Sequence, residues 1–314
     1  MIFKELHELG ILGINNRVGQ YILRSNKRSH YPLVDDKVKT AQRAAAWGIP
    51  MPENYRVISS FGDLKQLPTL LGGQESFVVK PANGSQGNGI IVINHVRKND
   101  EGELVFIRSS GKEMSLEEIR HHISSILSGL YSLSGLPDTA IIQQKLDMHP
   151  VFNFYSYGGI PDIRVIVFMG YPVMSMVRLP TKDSDGKANL HQGAIGAGLN
   201  LKDGKTNNAV IKNQVVEKHP DTGHNILGLE LPFWDEILEL AARCYDMVEL
   251  GYLGVDIVLT PDHGPILLEL NARPGLAIQI ANLQGLVPRL EKIRAEAQKG
   301  LSAKERVEIS QRLF

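Results

Sequence analysis

Two kinds of hydrophobic spacing follow one another along this chain. Apolar residues recur at helical spacing in DDKVKTAQRAAAWGIPMP, residues 35–52, which predicts a helix that is capped by Asp35 or Asp36 and stops at Gly48 and Pro50. The same spacing predicts a helix at about 115–129, the longest helix in LPFWDEILELAARCYDMVEL, and two helical pieces over 286–312 with Ser302 as a cap between them.

Short apolar runs bounded by turn residues predict the strands. These runs are FVVK and GIIVI around a glycine-rich stretch, TAIIQQKL, DIRVIVFMG and YPVMSMVRLP joined by a Gly-Tyr-Pro turn, LGVDIVLT, and PILLELN. Residues 181–209 are polar and glycine-rich and are predicted to form a loop, and residues 148–161 are aromatic and irregular. Strands and helices mix without strict β-α-β alternation, which favours an α+β fold over a doubly wound parallel sheet.

The glycine-rich stretch FVVKPANGSQGNGIIVI, residues 77–93, predicts a strand that ends in Lys80, a flap with glycines at 84, 87 and 89, and a returning strand. A Walker loop needs its lysine after the glycines and before a helix, and a Rossmann loop needs the order G-x-G-x-x-G, so neither motif fits. Backbone N–H groups of such a flap can lie over a polyphosphate while Lys80 supplies a positive charge. An ordinary hairpin loop is the alternative for this stretch alone.

Two acidic residues are predicted to face each other across a second hairpin. If residues 261–264 form its turn, Thr260 lies opposite Pro265, and Asp256 then lies opposite Glu269. Like charges that lie directly opposite each other across a hairpin repel each other and need a counter-charge. Asn271 shares the face of Glu269, and three oxygen donors suit Mg²⁺ that also binds phosphate and water. The alternative is a solvated pair on an outer sheet face. The other face is predicted to be covered by Val255, Ile257, Leu268 and Leu270.

Charge and cysteine content narrow the class of protein. The 314-residue chain has 34 Lys+Arg and 34 Asp+Glu, and this zero formal net charge argues against a nucleic-acid binder or a membrane-surface protein. The single cysteine, Cys244, is predicted to be a buried helix residue, which excludes an internal disulfide and favours a reducing compartment. Glu5 and Glu8 interrupt any signal-peptide core, and no run of 18 apolar residues occurs, so we expect a cytoplasmic protein without membrane insertion.

Six motifs in order carry a family resemblance. They are DDK at 35–37, FVVKPANGSQGNG, IIQQKLD, DIR at 162–164, NLHQG at 189–193, and Asp256 followed by ELNARPG. From about Tyr31 to Asn282 the sequence resembles the ATP-grasp superfamily, and more closely its α-L-glutamate ligase-like branch, which is related to the ribosomal protein glutamate ligases.

The resemblance implies a fold and its divisions. ATP would lie between two α+β subdomains of an ATP-grasp domain at 35–285, with a smaller lid subdomain at about 55–145. A short helical segment at 1–34 and a helical cap at 286–314 would flank it. About 35 residues precede the DDK motif, too few for the N-terminal domain that most such ligases carry. We therefore expect the acceptor to be held by residues 148–161, by residues 181–209 or by a partner protein.

The resemblance also implies a role for each matching residue. The nucleotide-binding residues would be Lys37 and Lys80 at the phosphates, the flap residues Gly84, Ser85, Gln86, Gly87, Asn88 and Gly89, the adenine hinge Gln144, Lys145 and Leu146, Asp162 at the ribose, and Lys187 with Asn189 near the phosphates. Asp256, Glu269 and Asn271 would hold one or two Mg²⁺, with Mn²⁺ as an alternative. Arg164, Arg178 and Arg273 would bind the acyl phosphate or the substrate carboxylate.

The implied activity is an ATP- and Mg²⁺-dependent carboxylate–amine ligation through an acyl phosphate, adding glutamate or another amino acid to a peptide, protein or small amine. A nucleotide-binding module that is inactive or needs a partner, and a kinase that uses the same site, remain open. The implied ligands are small-molecule or peptide substrates and not nucleic acid, and a homo-oligomer remains open.

Of the remaining conspicuous residues, His121 and His122 are predicted to be solvated, whereas His191 is a candidate for substrate or phosphate contact.

Overall fold

The computed structural model describes residues 5–6, 8–71, 73–84, 87–132 and 135–314. The chain divides into two compact units. The first unit comprises Met1–Asp35, Gln42–Met51 and Asp147–Phe314, and the second comprises Asp36–Ala41 and Pro52–Leu146. The chain thus leaves the first unit after Asp35, returns to it for Gln42–Met51, and returns again at Asp147, after the segment predicted to be the adenine hinge.

The second unit contains a six-stranded antiparallel sheet in the order β1-β6-β2-β3-β4-β5. Its strands are β1 Asn54–Ile58, β2 Phe77–Pro81, β3 Ile91–Lys98, β4 Leu104–Arg108, β5 Glu113–Ser115 and β6 Ala140–Gln143. Its helical segments are Phe61–Gln66, Leu67–Leu71 and Leu116–Leu127, and the helix Lys37–Ala46 begins in this unit.

The Leu116–Leu127 helix forms because its ends and its apolar spacing agree. Ser115 and Glu118 form a capping box at its start, and Ile119, Ile123 and Ile126 recur on one face. These isoleucines are fully buried in one cluster with Phe77 and other strand residues of the sheet. The sheet therefore has one face covered by this helix.

The first unit contains a seven-stranded antiparallel sheet in the order β11-β10-β9-β8-β7-β12-β13. Its strands are β7 Asp162–Phe168, β8 Tyr171–Leu179, β9 Ile195–Leu199, β10 Thr206–Ile211, β11 Gln214–Val215, β12 Tyr252–Thr260 and β13 Gly264–Asn271. Its longer helices are Trp234–Val248, Ala277–Asn282, Val287–Glu296 and Ala303–Leu313, and its short turns are Ile14–Asn16, Arg17–Ile22, Leu23–Ser25, Arg28–His30, Pro32–Asp35, Pro150–Phe152 and Leu190–Gln192.

This sheet is covered on both faces, which explains why its central strands are apolar without alternation. β7 is buried at every position. Val165 and Val167 belong to one core cluster together with Cys244 of the Trp234–Val248 helix, whereas Ile166 and Phe168 belong to a second cluster. Successive side chains of a strand point to opposite faces, so β7 contributes to both cores. The prediction that Cys244 is buried in a helix is confirmed.

Two sequence predictions about this unit are wrong. Residues 181–209 are not one loop, because they contain β9 and the start of β10. β9 has the sequence IGAGL, a poor strand former by propensity, but a Cβ atom on Gly198 would lie 2.7 Å from the Ala281 carbonyl oxygen. Close packing therefore selects glycine here. The turn between β7 and β8 lies at Met169 and Gly170, one residue earlier than the predicted Gly-Tyr-Pro turn, and both residues have positive φ.

The β12–β13 hairpin contains the predicted pair of acidic residues, although its strands pair in a different register near the turn. Near the turn, Thr260 pairs with Gly264 rather than Pro265, and Ile257 pairs with Leu267. A bulge then places Asp256 opposite Glu269, as predicted. The bulge also changes which residue enters the core, because Leu267 is fully buried and Leu268 is only half-buried.

No helix among the described residues is long and apolar enough to span a lipid bilayer.

Candidate active site

A buried cluster of charged side chains lies on three adjacent strands of the first unit, β8, β7 and β12. Asp162 of β7 pairs in register with Arg178 of β8, and Asp256 of β12 pairs with Arg164 of β7. Because directly opposed residues share a face, these four side chains converge. Asp256 is completely inaccessible, and the other three side chains are at most 14% exposed.

Both arginines bind carboxylates through two nitrogens each. Arg164 donates from Nε to Asp256 Oδ1 at 2.6 Å and from Nη2 to Asp256 Oδ2. Arg178 donates from Nε to Asp162 Oδ1, from Nη2 to Asp162 Oδ2 at 2.6 Å, and from Nη2 to Asp256 Oδ2 at 3.0 Å. Such bidentate pairs fix the orientation of both partners.

Burial and charge act in opposite directions on the two aspartates. Burial alone would raise the pKa of Asp256, but Arg164 and Arg178 outweigh it and hold that pKa well below its usual range. Burial raises the pKa of Asp162 to about 6 although Arg178 opposes the shift, and the charge of Asp256 adds to it. Burial would lower the pKa of Arg178, but Asp162 and Asp256 raise it, so this guanidinium stays charged.

The repulsion between Asp256 and Glu269 was the sequence-based reason for expecting a metal ion, and the arginines remove that reason. Asp256 already receives four donors, because Asn271 Nδ2 also donates to its Oδ2 at 3.2 Å. A carboxylate has about four acceptor positions, so Asp256 is saturated in this arrangement.

Glu269 and Asn271 fit a hard cation better than Asp256 does. Glu269 receives Asn271 Nδ2 at 3.5 Å, a contact too long to occupy its carboxylate firmly. Both residues are half-buried at the end of β13. Among the residues that the structure describes, no group of three or more His, Cys, Asp or Glu side chains is placed to hold a metal ion. The metal role of Asp256 therefore stays a prediction that requires its arginine partners to rearrange.

Arg273, predicted to act with Arg164 and Arg178, has different neighbours. Its guanidinium lies over the Tyr31 ring, 4.7 Å from the ring centroid, and its Nη1 is 4.0 Å from Asp35 Oδ2. The side chain is 53% exposed. The structure thus brings together two of the three predicted arginines and sets the third beside the N-terminal segment.

The predicted flap of the second unit lies between β2 and β3, which pair as an antiparallel hairpin. Lys80 is buried near the end of β2. Lys37 Nζ donates to the Gly84 carbonyl at 2.8 Å, so its ammonium group holds the first end of the flap. Gly87 has φ near +74° and is exposed together with Asn88. Ser85 and Gln86, which were predicted to contact the nucleotide, lie outside the described residues.

The second end of the flap is held by two residues that the sequence did not assign to the flap, His122 and Tyr131. His122 Nε2 lies 2.8 Å from the Gly89 carbonyl oxygen, and a Cβ atom on Gly89 would be 2.6 Å from the Tyr131 ring. Burial lowers the pKa of His122, Gly89 opposes the shift, and Arg108 adds to it. The prediction of a solvated His122 is wrong because its side of the helix faces the flap. The sequence alone does not predict this contact, because the contact depends on which side of the helix faces the flap.

The predicted hinge follows β6 directly. Gln144 exchanges two hydrogen bonds with Glu53: its N–H donates to the Glu53 carbonyl at 2.8 Å, and its Oε1 accepts from the Glu53 N–H at 3.1 Å. Leu146 is buried and Lys145 is half-buried. The backbone of Gln144 is thus fixed to the start of β1, which leaves its roles toward adenine as predictions.

The polar segment of the first unit places Lys187 and Asn189 near each other along the chain. Lys187 is exposed, and Asn189 caps the Leu190–Gln192 turn by accepting from the His191 N–H at 3.0 Å. The Asn189 side chain is therefore engaged in its own turn, and nucleotide contact by either residue stays a prediction.

Comparison with known proteins assigns the family. A sequence profile of the sugar-transfer associated ATP-grasp family matches residues 16–295. The chain belongs to this family. The resemblance to ATP-grasp proteins that the ordered motifs predicted is confirmed, and so is the α+β fold with two antiparallel sheets.

The ATP-grasp chain is also similar to individual proteins. A probable alpha-L-glutamate ligase of Maridesulfovibrio salexigens is 24% identical over 279 residues, covering 88% of this chain and 64% of the relative. A probable alpha-L-glutamate ligase of Enterobacter sp. (strain 638) is 24% identical over 241 residues, covering 77% of this chain and 56% of the relative. The chain spans about three fifths of the length of these curated relatives.

Solved structures with low similarity include two ligases. The ATP-grasp ligase PsnB complexed with a minimal precursor has a TM-score of 0.43 and 16% identity, covering 87% of this chain and 63% of that chain. The D-alanine-D-alanine ligase from Coxiella burnetii has a TM-score of 0.43 and 13% identity, covering 92% of this chain and 59% of that chain.

Proposed function

We propose that this ATP-grasp protein is an ATP-dependent ligase that joins a carboxylate to an amine. The observation that carries the proposal is the convergence of Arg164 and Arg178 with Asp256 and its partner Glu269 on adjacent strands, in a chain of this family. With Mg²⁺ bound, a site of this composition would offset phosphate charge without a covalent nucleophile.

The reaction would proceed in two displacements. A carboxylate oxygen attacks the γ-phosphorus of ATP, which forms an acyl phosphate and releases ADP. The amine nitrogen then attacks the acyl carbon, the C–O bond to phosphate breaks, and the nitrogen loses a proton, which leaves an amide and inorganic phosphate. Both steps depend on positioning and on neutralising phosphate charge.

The residues of this chain would divide that work. Lys37, Lys80 and the flap would bind the phosphates, and Gln144, Lys145 and Leu146 would face adenine through their backbone. Asp162, Lys187 and Asn189 would complete the nucleotide site. Arg178, which stays charged because Asp162 and Asp256 raise its pKa, would keep a positive charge beside the reacting groups. Mg²⁺, when bound through Glu269 and Asn271 with help from Asp256, would offset the charge of the phosphates.

The substrates are proposed from the relatives. Probable α-L-glutamate ligases suggest glutamate or another amino acid as one partner, and a peptide, protein or small amine as the other. Residues 148–161 and 181–209 of the first unit are candidates for holding the acceptor, and a partner protein is an alternative.

A substrate panel tests this proposal. We expect ADP release with ATP and Mg²⁺ that rises at least tenfold with the correct carboxylate and amine, and hydroxylamine should trap the acyl phosphate as a hydroxamate. Asp256→Asn combined with Glu269→Gln should abolish release, whereas Asp262→Asn, in the exposed turn of the same hairpin, should not. Nucleotide binding without turnover across the panel would instead indicate a binding module. Phosphorylation of an alcohol without hydroxamate would indicate a kinase.

A further inference from the structure

A pocket of about 370 Å³ in the first unit lies beside the N-terminal segment, residues 14–31. It is lined by Val18, Ile22, Leu23, Arg28, Tyr31 and Arg273. Its volume falls at the lower end of the range for small-molecule sites, roughly 300–1,000 Å³. A small molecule therefore fits the pocket better than a folded protein would.

The N-terminal segment is fixed against the end of β13 on both sides of Arg273. Arg17 Nη1 donates to the Pro274 carbonyl at 2.5 Å, and Asn26 Nδ2 donates to the Ala272 carbonyl at 3.3 Å. Asn26 is buried and also bonds Tyr252 in both directions at 2.8 Å. The carbonyls that flank Arg273 are thus held by the segment that forms the opposite wall, so the pocket is a built part of the fold.

The polar side of the pocket is cationic. Arg28 and Arg273 line it, and the lining contains no acidic residue. Among the described residues, the Arg28 guanidinium has no hydrogen-bond or ion-pair partner. Arg273 stacks on Tyr31, which leaves its edge N–H groups available, and Asp35 lies 4.0 Å away. The lining thus carries two positive charges and no negative charge, which suits an anionic ligand.

The remaining lining is apolar and unevenly exposed. Ile22 is 2% exposed and forms a floor, whereas Leu23 is 59% exposed at the rim. The Tyr31 ring adds an aromatic surface beneath Arg273. A ligand that placed its charge at the arginines would bring an attached aliphatic or aromatic group onto these residues.

We propose that this pocket binds a carboxylate that carries an aliphatic or aromatic group. The inference rests on the proposed ligase function, in which such a molecule is the carboxylate substrate, and it adds Arg28, Tyr31 and Ile22 to Arg273 as the residues that select it. A guanidinium pair binds phosphate as well as carboxylate, and the carboxylate is chosen because the proposed ligase reaction consumes one.

Calorimetric titration without nucleotide tests the pocket with three matched probes. They are 3-phenylpropanoate, its uncharged amide, and acetate, which has the charge but no apolar group. We expect 3-phenylpropanoate to bind at least tenfold more tightly than either control. Saturable binding that is equal for the acid and the amide would overturn the proposal, and so would the absence of saturable binding by the acid.

Two arginine variants and one control locate the binding. Arg28→Gln and Arg273→Gln should each weaken binding of 3-phenylpropanoate at least fivefold, and binding of the amide should not change. Arg24→Gln, on an exposed arginine of the same segment that does not line the pocket, should leave both affinities unchanged. An unchanged affinity in both pocket variants places the ligand elsewhere and contradicts the assignment.

Further probes separate ligand class from function. Phenyl phosphate that binds more tightly than 3-phenylpropanoate would overturn the choice of a carboxylate. Because the titration needs no ATP, binding without ligase turnover supports the pocket and counts against the proposed function. Ligase turnover in a protein whose pocket does not bind the acid would support the proposed function and overturn the assignment of the pocket.

Discussion

Two hairpins carry most of the predicted chemistry, and they do so in opposite ways. The β2–β3 hairpin of the second unit offers the backbone of its flap, whereas the β12–β13 hairpin of the first unit offers side chains from within its strands. Glycines allow the flap backbone to approach a ligand, and burial holds the strand side chains in fixed pairs. The position of the binding groups in a loop therefore depends on what the two ends of the loop contact. In a strand it depends on the register with which the strand pairs with its neighbours.

The contacts of the flap ends illustrate the difference. Gly84 is held by Lys37, and Gly89 by His122 and Tyr131, each through a few local contacts. Asp256, in contrast, sits between two paired strands and receives four donors. We expect substitutions in the strand cluster to lower the stability of the whole unit and substitutions at the flap to change local opening.

The largest expected effect is at Arg178. Arg178→Met leaves the buried Asp162 and Asp256 short of donors, so we expect the free energy of unfolding to fall by about 3–5 kcal/mol. Urea unfolding followed by tryptophan fluorescence measures this, since Trp47 and Trp234, the two tryptophans, both lie in the first unit. Arg24→Met serves as the exposed control. A loss below about 1 kcal/mol would show that the cluster does not hold the sheet together.

A smaller effect is expected at the flap. Gly87→Ala and Gly89→Ala both place a side chain at positive φ, which costs about 1–2 kcal/mol. Gly89→Ala also forces a Cβ atom into Tyr131, whereas a Cβ atom on Gly87 meets nothing within 4 Å. We expect Gly89→Ala to cost about 1–3 kcal/mol more in local opening, measured by hydrogen exchange of residues 77–98. Adding Tyr131→Ala should remove most of that excess, because it removes the ring atoms and leaves only the Tyr131 Cβ at 3.0 Å. Equal exchange in the two single variants would exclude the contact.

The smallest effect is a proton equilibrium at His122. Its pKa in the folded protein lies below the unfolded value of about 6.5, so the folded state favours the neutral ring. The neutral His122 ring therefore stabilises the folded protein at a pH above its pKa in the unfolded chain. This stabilisation is lost as the pH falls through the pKa that His122 has in the folded protein. An NMR titration should give a pKa below about 6.5 for the resonance that disappears in His122→Gln. A value at or above that level would mean that the ring is not buried against the flap.

The sequence predicted the strand pair better than its surroundings. Asp256 and Glu269 were expected to be opposite each other, and they are, because the bulge at Leu268 offsets a turn that is one residue shorter than predicted. Their neutralisation by Arg164 and Arg178 was not expected, because it depends on β7 lying between β8 and β12. Strand order across a sheet is set by the whole core and not by local spacing.

Other misses have the same origin. His122 was expected in solvent because helical spacing alone does not say which polar side faces a neighbouring loop. β9 was missed because the sequence IGAGL has low strand propensity, and packing against Ala281 and Leu190 compensates for it. The helices with strong periodicity were predicted from local sequence because Trp234–Val248 has a long buried apolar face and Ala303–Leu313 has a buried face and the Ser302 cap.

The bulge on β13 makes the length of this strand adjustable at one position. Leu268 is the extra residue, and the pairs on its two sides, Ile257 with Leu267 and Asp256 with Glu269, are in separate registers. Losing Leu268 would merge those registers into one regular ladder and would keep Asp256 opposite Glu269. A single-codon deletion, which at most strand positions reverses the two faces, would here leave the acidic pair and the buried Leu267 and Leu270 in place. In the evolution of this hairpin, the part between Leu267 and the turn can therefore change its register without moving the Asp256–Glu269 pair.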